Sequence, residues 1–173
     1  MSVGLIVAAD PNWLIGVDGK LPWRYPADLR RFRALTIGGT LILGSKTFYS
    51  LPKPLEGRTT IILSRGRGPA VWKHRPDVLV DSLGAALDKA KDLGRPVWIA
   101  GGAEIYRAAL AMDVVDFIDL TIVPIFEITP QPYEQTFTYF PHSHLDRFRR
   151  VQVERNVDDD RLTHQRYERS RYS

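Results

Sequence analysis

The stretch "LIGVDGKLPWRYPADLRRFRALT" sets an acid where an acid is hard to keep. Read as a helix opening at Pro26, it places Asp28 and Phe32 four residues apart and Leu35 three further on, so a carboxylate lies in an apolar stripe. A plainer reading is a first-turn acid favoured by the helix dipole. Other reactive chemistry gathers where short apolar runs end. "IAGGAEIY" sets Gly101 and Gly102 between a run and a helix start, followed by Ala103, Glu104 and Ile105. "LGSKTF" offers Gly44, Lys46 and Thr47, and "LSRGRG" offers Ser64 and Arg65. Missing side chains let a ligand approach the backbone, and the free amides of a helix start face an anion. Two separate basic strand ends fit a nucleotide with more than one phosphate group, as in NADPH. A tight strand-helix turn at the glycines and solvent-exposed roles for the basic residues are the alternatives.

Other chemistries find little support. His74, His142, His144 and His164 show no paired helical spacing around a glutamate, so no metal site is expected, and His142 and His144 read as surface residues of a loop. Neither a Gly-x-Ser-x-Gly elbow nor a full phosphate-binding loop occurs, which disfavours hydrolase and ATPase chemistry. The 173 residues contain no cysteine, which excludes disulfides and thiolate metal sites and is compatible with a reducing cytoplasm. "MSVGLIVAADPNWLIG" has no positive leader and too short an apolar run to span a bilayer, so a soluble cytoplasmic chain without a membrane partner is expected. A formal charge of +4 favours anionic partners. Much of the excess lies in "RRFR" and in the C-terminal tail, where interleaved acids suggest solvated faces. No nucleic-acid-binding motif accompanies it.

The elements that must position these residues alternate between strand and helix. "VGLIVAAD", "TLILG", "TTIILS", "DVLV", "VWIA" and "DFIDLTIV" read as strands. "PADLRRFRALT", "SKTFYSLP", "SLGAALDKAKDLG" and "AEIYRAALAM" read as helices, the third capped by Ser82 and stopped by Gly94. "RFRRVQVERN" and "RLTHQRYER" read as a closing hairpin around "VDDD". The expectation is one α/β domain over 1–173, with a mainly parallel central sheet, helices on both faces and an antiparallel C-terminal hairpin. Ligands then gather at the carboxyl ends of the strands.

Four motifs in order, "LIGVDGKLPW" with "RYPADLRRFRALT", "PLEGRTTIILSR" and "IAGGAEIY", resemble the motif set of dihydrofolate reductase over residues 3 to about 121, and more loosely beyond. The resemblance implies NADPH-dependent reduction of dihydrofolate by a monomer. Asp28 resembles the family's acidic group in the pteridine pocket, with Ile6, Leu29 and Phe32 beneath the flat ring, and burial there should raise its pKa. Arg58 resembles the arginine that grips the α-carboxylate of the substrate's glutamate tail, Lys53 a weaker helper, and Leu51 and Leu55 the lining of the aminobenzoyl passage. Tyr106 resembles a ring neighbour of the nicotinamide and Thr121 a hydroxyl bracing the acid; either could equally be core. Ala8, Ile15 and Gly16 resemble the nicotinamide contacts. Residues 16–23 resemble a mobile loop in which Gly16 and Gly19 permit the bend, Lys20 belongs to the cofactor side, Leu21 caps the ring and Trp23 holds a water. Lys46, Ser64 and Arg65 would read the adenosine 2′-phosphate.

The sequence departs from the family pattern at Ser45, where an arginine is common, at Phe48 in place of tryptophan, and at Ala103 in place of a third glycine. Ala100 takes a pocket position that is often a branched aliphatic. The segment 125–139 lacks the glycine-aspartate turn that braces the mobile loop in many relatives. A sister enzyme reducing a riboflavin precursor would not need Asp28 or Arg58. A non-catalytic folate- or nucleotide-binding module would keep the pocket without turnover, and a nucleic-acid-binding domain is favoured by charge alone.

Overall fold

The computed structural model describes residues 1–66 and 73–170. In chain order its elements are β1 (Val3–Ala9), β2 (Leu14–Val17), α1 (Pro26–Thr36), β3 (Thr40–Gly44), α2 (Ser45–Ser50), β4 (Thr59–Leu63), β5 (Val78–Val80), α3 (Leu83–Leu93), β6 (Val97–Ile99), α4 (Ala103–Ala111), β7 (Phe117–Ile122), β8 (Phe137–Tyr139), β9 (Phe148–Arg155) and β10 (Thr163–Arg169). Proline at the start of α1 has the fixed φ that a first helical position accepts. Ser82 caps α3 by accepting from the Ala85 amide at 3.1 Å, and Gly94 ends it in the left-handed region at φ 66°.

Eight strands form one sheet in the order β5-β4-β3-β6-β1-β7-β10-β9. The first six run parallel, while β10 lies antiparallel to β7 and β9 antiparallel to β10, giving the expected closing hairpin. Alternation along β1 divides the core. Leu5, Val7 and Ala9 pack with α3 and α4, whereas Ile6 joins Leu41, Leu43, Ile62 and Trp98 under Phe32 and Leu35 of α1. Each of the fully buried aliphatic side chains contributes about 1.5–3 kcal/mol by leaving water.

Strand register also opens the cleft. Pairing of β1 with β6 stops at Leu5 and Ile99, but β1 continues along β7 as far as Ala9 opposite Ile122. From Ile6 onward β1 therefore has a free edge at its carboxyl end, the place where parallel sheets admit ligands.

The two-stranded sheet of β2 and β8, with Leu14 opposite Tyr139 and Val17 opposite Phe137, was not foreseen from the sequence. Such short strands carry too few residues for alternation to be recognised. Residues 142–147, read above as a loop, form a 3-10 helix. Exposed His142 lies flat on Trp13, with ring centroids 5.0 Å apart.

Below the cleft the floor is tightly filled. A Cβ on Gly4 would stand 2.5 and 2.6 Å from the Phe117 ring and 3.0 Å from Trp98. Gly4→Ala is expected to destabilise the fold by about 1–3 kcal/mol through overpacking, read as a lower urea midpoint. An unchanged midpoint would mean that the ring has room to move.

Candidate active site

Asp28 stands in the first turn of α1, half-buried, and its Oδ1 accepts a 2.7 Å hydrogen bond from Thr121 Oγ1. Thr121 lies opposite Ala8 of β1, and Asp119, two residues earlier on the same face of β7, lies opposite Ile6. The acid thus hangs beside the free edge of β1. One turn on, Phe32 lies beneath Arg58, whose guanidinium carbon is 5.7 Å from the ring centroid. Arg58 Nε donates to the Glu56 carbonyl at 3.1 Å, and Nη1 reaches Thr36 Oγ1 at 3.4 Å. Desolvation raises the pKa of Asp28 above its ordinary value, against the lowering effects of the Thr121 hydroxyl and the Arg31 charge.

Asp28 is not the lone ionisable group beside the pocket. Arg31, from the "RRFR" run read above as solvated, keeps its side chain 23% exposed and pairs with nearly buried Asp119 at 2.8 Å. It also lies 3.6 Å from Glu154. Burial pushes the Asp119 carboxyl up, Arg31 and Arg166 pull it down, and the nearby Asp28 pushes it up. Buried His164 sits directly across from Thr121 on β10, its Nδ1 2.8 Å from the same hydroxyl.

On the other side of the free edge the wall is built from backbone. Tyr106 is buried and donates its hydroxyl to the Ile6 carbonyl at 2.7 Å, and burial raises its phenol pKa. Gly101 takes φ 115° and joins Gly102 through a cis peptide. Its carbonyl accepts from the Gly44 amide at 2.8 Å. A Cβ would stand 3.2 Å from the Tyr106 hydroxyl at Gly101, 3.0 Å from Thr47 Oγ1 at Gly102, and 3.2 Å from Ile105 at Gly44. α4 begins at Ala103 with no side chain capping its amides, and Glu104 stands exposed in its first turn. The register of β3 on β4 sets Gly44 against Leu63, bringing the chain leading to Lys46 beside that leading to Ser64 and Arg65. Lys46 and Arg65 are exposed, and the Ser64 hydroxyl donates to the Gly66 carbonyl at 3.2 Å. Arg67 and Gly68, the end of the "LSRGRG" stretch, lie outside the described residues.

The loop entering the site begins at Ile15 and Gly16 on β2. Val17 and Lys20 exchange backbone hydrogen bonds of 2.9 and 3.0 Å around Asp18 (φ 51°) and Gly19 (φ 77°), a two-residue turn suited to Asp-Gly. Despite lacking the glycine-aspartate turn, the segment 125–139 holds this loop. Asp18 donates its amide to the Thr136 carbonyl and accepts the Thr136 amide on Oδ1, both at 2.8 Å. Buried Asp10, unremarked in the sequence, accepts from the Asn12 and Leu14 amides at 2.9 Å and from Phe126 at 3.2 Å, tying the start of β2 to that segment. The Asp-Pro-Asn sequence carried that signal as a side-chain turn.

Trp23 is half-buried against Ala27, Val123 and Leu162, while Leu21, Leu29 and Lys53 are exposed and Leu51 and Leu55 half-buried. Ala8 and Ile15 are half-buried, Gly16 buried, and Gly19 and Lys20 exposed. A separate cavity of 410 Å³ opens at the amino ends of β1 and β6 beside Met1, Pro96, Trp98 and Phe117, with no carboxylate in its lining.

The family model for dihydrofolate reductase matches residues 2–172. The chain belongs to the dihydrofolate reductase family. Dihydrofolate reductase type 3 of Salmonella typhimurium is 39% identical over 110 residues, covering 64% of this chain and 65% of its own. The dihydrofolate reductase of Haemophilus influenzae is 38% identical over 110 residues, covering 64% and 66%. These alignments span just under two thirds of the length of both relatives. Among solved structures, a dihydrofolate reductase from Enterococcus faecalis complexed with NADP(H) and RAB-propyl superposes with a TM-score of 0.81 at 26% identity, covering 98% of this chain and 96% of that one.

The raised pKa of Asp28 has a consequence for stability. The folded protein holds this proton more tightly than the unfolded chain, an advantage that is full below the ordinary pKa of 3.8 and lost as pH rises through the folded value. Asp28→Asn removes that loss while keeping an acceptor for Thr121. Urea unfolding should find the variant more stable than the parent at neutral pH, with the gap shrinking in acid. A gap independent of pH would show that the carboxyl is not desolvated.

Proposed function

We propose that this chain reduces 7,8-dihydrofolate to 5,6,7,8-tetrahydrofolate with NADPH, supporting one-carbon metabolism and nucleotide synthesis. The observation that carries the reading is Asp28 itself: a carboxylate in an apolar stripe, braced on Oδ1 by Thr121, with no hydrogen-bond partner on Oδ2 among the described residues. A carboxylate has lone pairs to spare beyond the Thr121 bond, enough to accept the pterin's ring N–H and 2-amino group side by side. Phe32, Ile6 and Leu29 offer the flat ring an apolar bed. From Asp28 to Thr36 the helix rises about 12 Å, which sets Arg58 at the far end of the same stripe. Arg58 Nη2, without a partner among the described residues, is left to grip the substrate's α-carboxylate. Leu51 and Leu55, which pack with Phe32 and Leu35, line the passage, and exposed Lys53 is a weaker helper for the same carboxylate.

The walls suit a dinucleotide, because no side chain caps the first amides of α4, which the chain enters through Gly101 and Gly102. Ala8 and Ile15 offer backbone groups to the carboxamide, and Lys46, Thr47, Ser64 and Arg65 offer donors to phosphate, which favours NADPH over NADH. When bound, NADPH supplies the hydride that C6 of dihydrofolate receives. The chain's own part is alignment and the proton. The loop over 16–23 excludes water and holds the reactants together, an effect on the order of 7 kcal/mol at best. Asp28 orients the pterin and helps a solvent proton, held near Trp23, to reach N5.

Loss of absorbance at the reduced nicotinamide band on adding dihydrofolate, with NADPH and NADH run side by side, tests the reading. Turnover with a preference for NADPH is expected, and none with either cofactor would refute it. Asp28→Asn should still bind folate yet lose about 10²–10⁴-fold in turnover at neutral pH. Unimpaired turnover would remove the acid from the mechanism.

A further inference from the structure

Behind Asp28 a row of polar groups runs to the surface, and its hydrogen bonds can be assigned one at a time from the outside. Asn156, just beyond β9, accepts the amides of Asp158 and Asp159 on Oδ1 at 2.8 and 3.0 Å. Flipping that amide would turn its NH₂ group against two N–H donors, so Nδ2 is the end that faces His164 Nε2, at 2.8 Å. Nδ2 can only donate. Nε2 must therefore be the bare nitrogen, and the imidazole carries its proton on Nδ1, 2.8 Å from Thr121 Oγ1. Since Thr121 receives that proton's hydrogen bond, its own hydroxyl hydrogen is left for Asp28 Oδ1, 2.7 Å away. The opposite direction would set Nε2–H head-on against the Asn156 NH₂, leaving two buried donors opposed.

We infer that His164 is a positioning residue for the reaction: held neutral and in one tautomer by Asn156, it obliges Thr121 to donate to Asp28, so that a proton taken up by the acid resides on Oδ2. This rests on the proposed role of Asp28 in proton delivery. The surroundings agree with a neutral ring. His164 is 3% exposed, and burial with the nearby Arg31 charge lowers its pKa to about 4 against the opposite pull of Glu154. The charged groups around the row are Arg31 of α1, Asp119 of β7, Glu154 of β9, Arg166 of β10, and Asp158, Asp159 and Arg161 in the turn beside Asn156. Arg31 bridges Asp119 and Glu154, and Arg166 lies over the Phe117 ring. None of them displaces Thr121 from the acid. The turn between β9 and β10, remote from the ligand cleft, thereby sets which oxygen of Asp28 is free.

Two measurements test this. Long-range ¹⁵N–¹H correlation spectra of the wild-type protein without ligands should show His164 neutral and protonated on Nδ1 at neutral pH. An Nε2–H tautomer, or an imidazolium, would overturn the inference. The second is the pH midpoint of single-turnover hydride transfer. Thr121→Val and His164→Leu should both move it upward by about half a unit or more, because the ionised acid loses a committed donor. His164→Asn, which keeps an amide nitrogen near the place of Nδ1, should restore the wild-type midpoint. A wild-type midpoint in His164→Leu would contradict the relay. If a variant fails to fold, the wild-type tautomer still decides. Absence of turnover in the wild type would refute the proposed function, and the ligand-free spectra would then decide the direction of the chain separately.

Discussion

A carboxylate among apolar side chains persists only where a donor is fixed upon it, and the Thr121 hydroxyl on Asp28 is the contact around which this structure is arranged. Desolvation alone would drive the acid to its neutral form. Thr121 and the Arg31 charge restrain that tendency, so two opposing effects of similar kind set the proton affinity. The contact joins the first turn of α1 to the carboxyl end of β7, so its length depends on helix docking and strand register together. A slip of one residue in β7 would turn Thr121 toward α3 and α4 and leave the acid unbraced.

The same economy of parts governs the cleft. β1 is a core strand as far as Leu5 and a cleft wall from Ile6 onward, because β6 ends where β1 continues. Tyr106 occupies the Ile6 carbonyl that this separation exposes, and the glycines at 44, 101 and 102 leave room for Ile105, Tyr106 and Thr47, against which a Cβ would press. Among the described residues, the loop after β2 is held by the short pairing with β8, the Asp18 and Thr136 exchange, and the buried Asp10 carboxylate. Segments with little buried apolar area open at low free energy.

The local code of the sequence carried far. Proline at 26, serine at 82 and glycine at 94 marked helix ends because each acts on its own backbone. Apolar runs marked the parallel strands because burial on both faces leaves no other composition. What stayed hidden depends on pairing between distant segments. β2 and β8 are too short to announce themselves, and the pairing of Arg31 with Asp119 needs a helix and a strand 88 residues apart in sequence. The spacing of His164 suits no metal site, and its position across from Thr121 follows from the β7–β10 register, which no local pattern encodes. The ordered motifs name Asp28 and Thr121, which the structure joins by a hydrogen bond, whereas no local pattern names Arg31, Asp119 and His164 behind them.

The chemistry open to this site depends on the proton affinity of one side chain. A ¹³C titration of the Asp28 carboxyl in the ligand-free protein, assigned by its loss in Asp28→Asn, measures it directly. The account predicts a midpoint above the ordinary aspartate value of 3.8. A midpoint at or below that value would mean that water, or a donor stronger than Thr121, reaches the acid, and that the carboxyl is not held in a desolvated site.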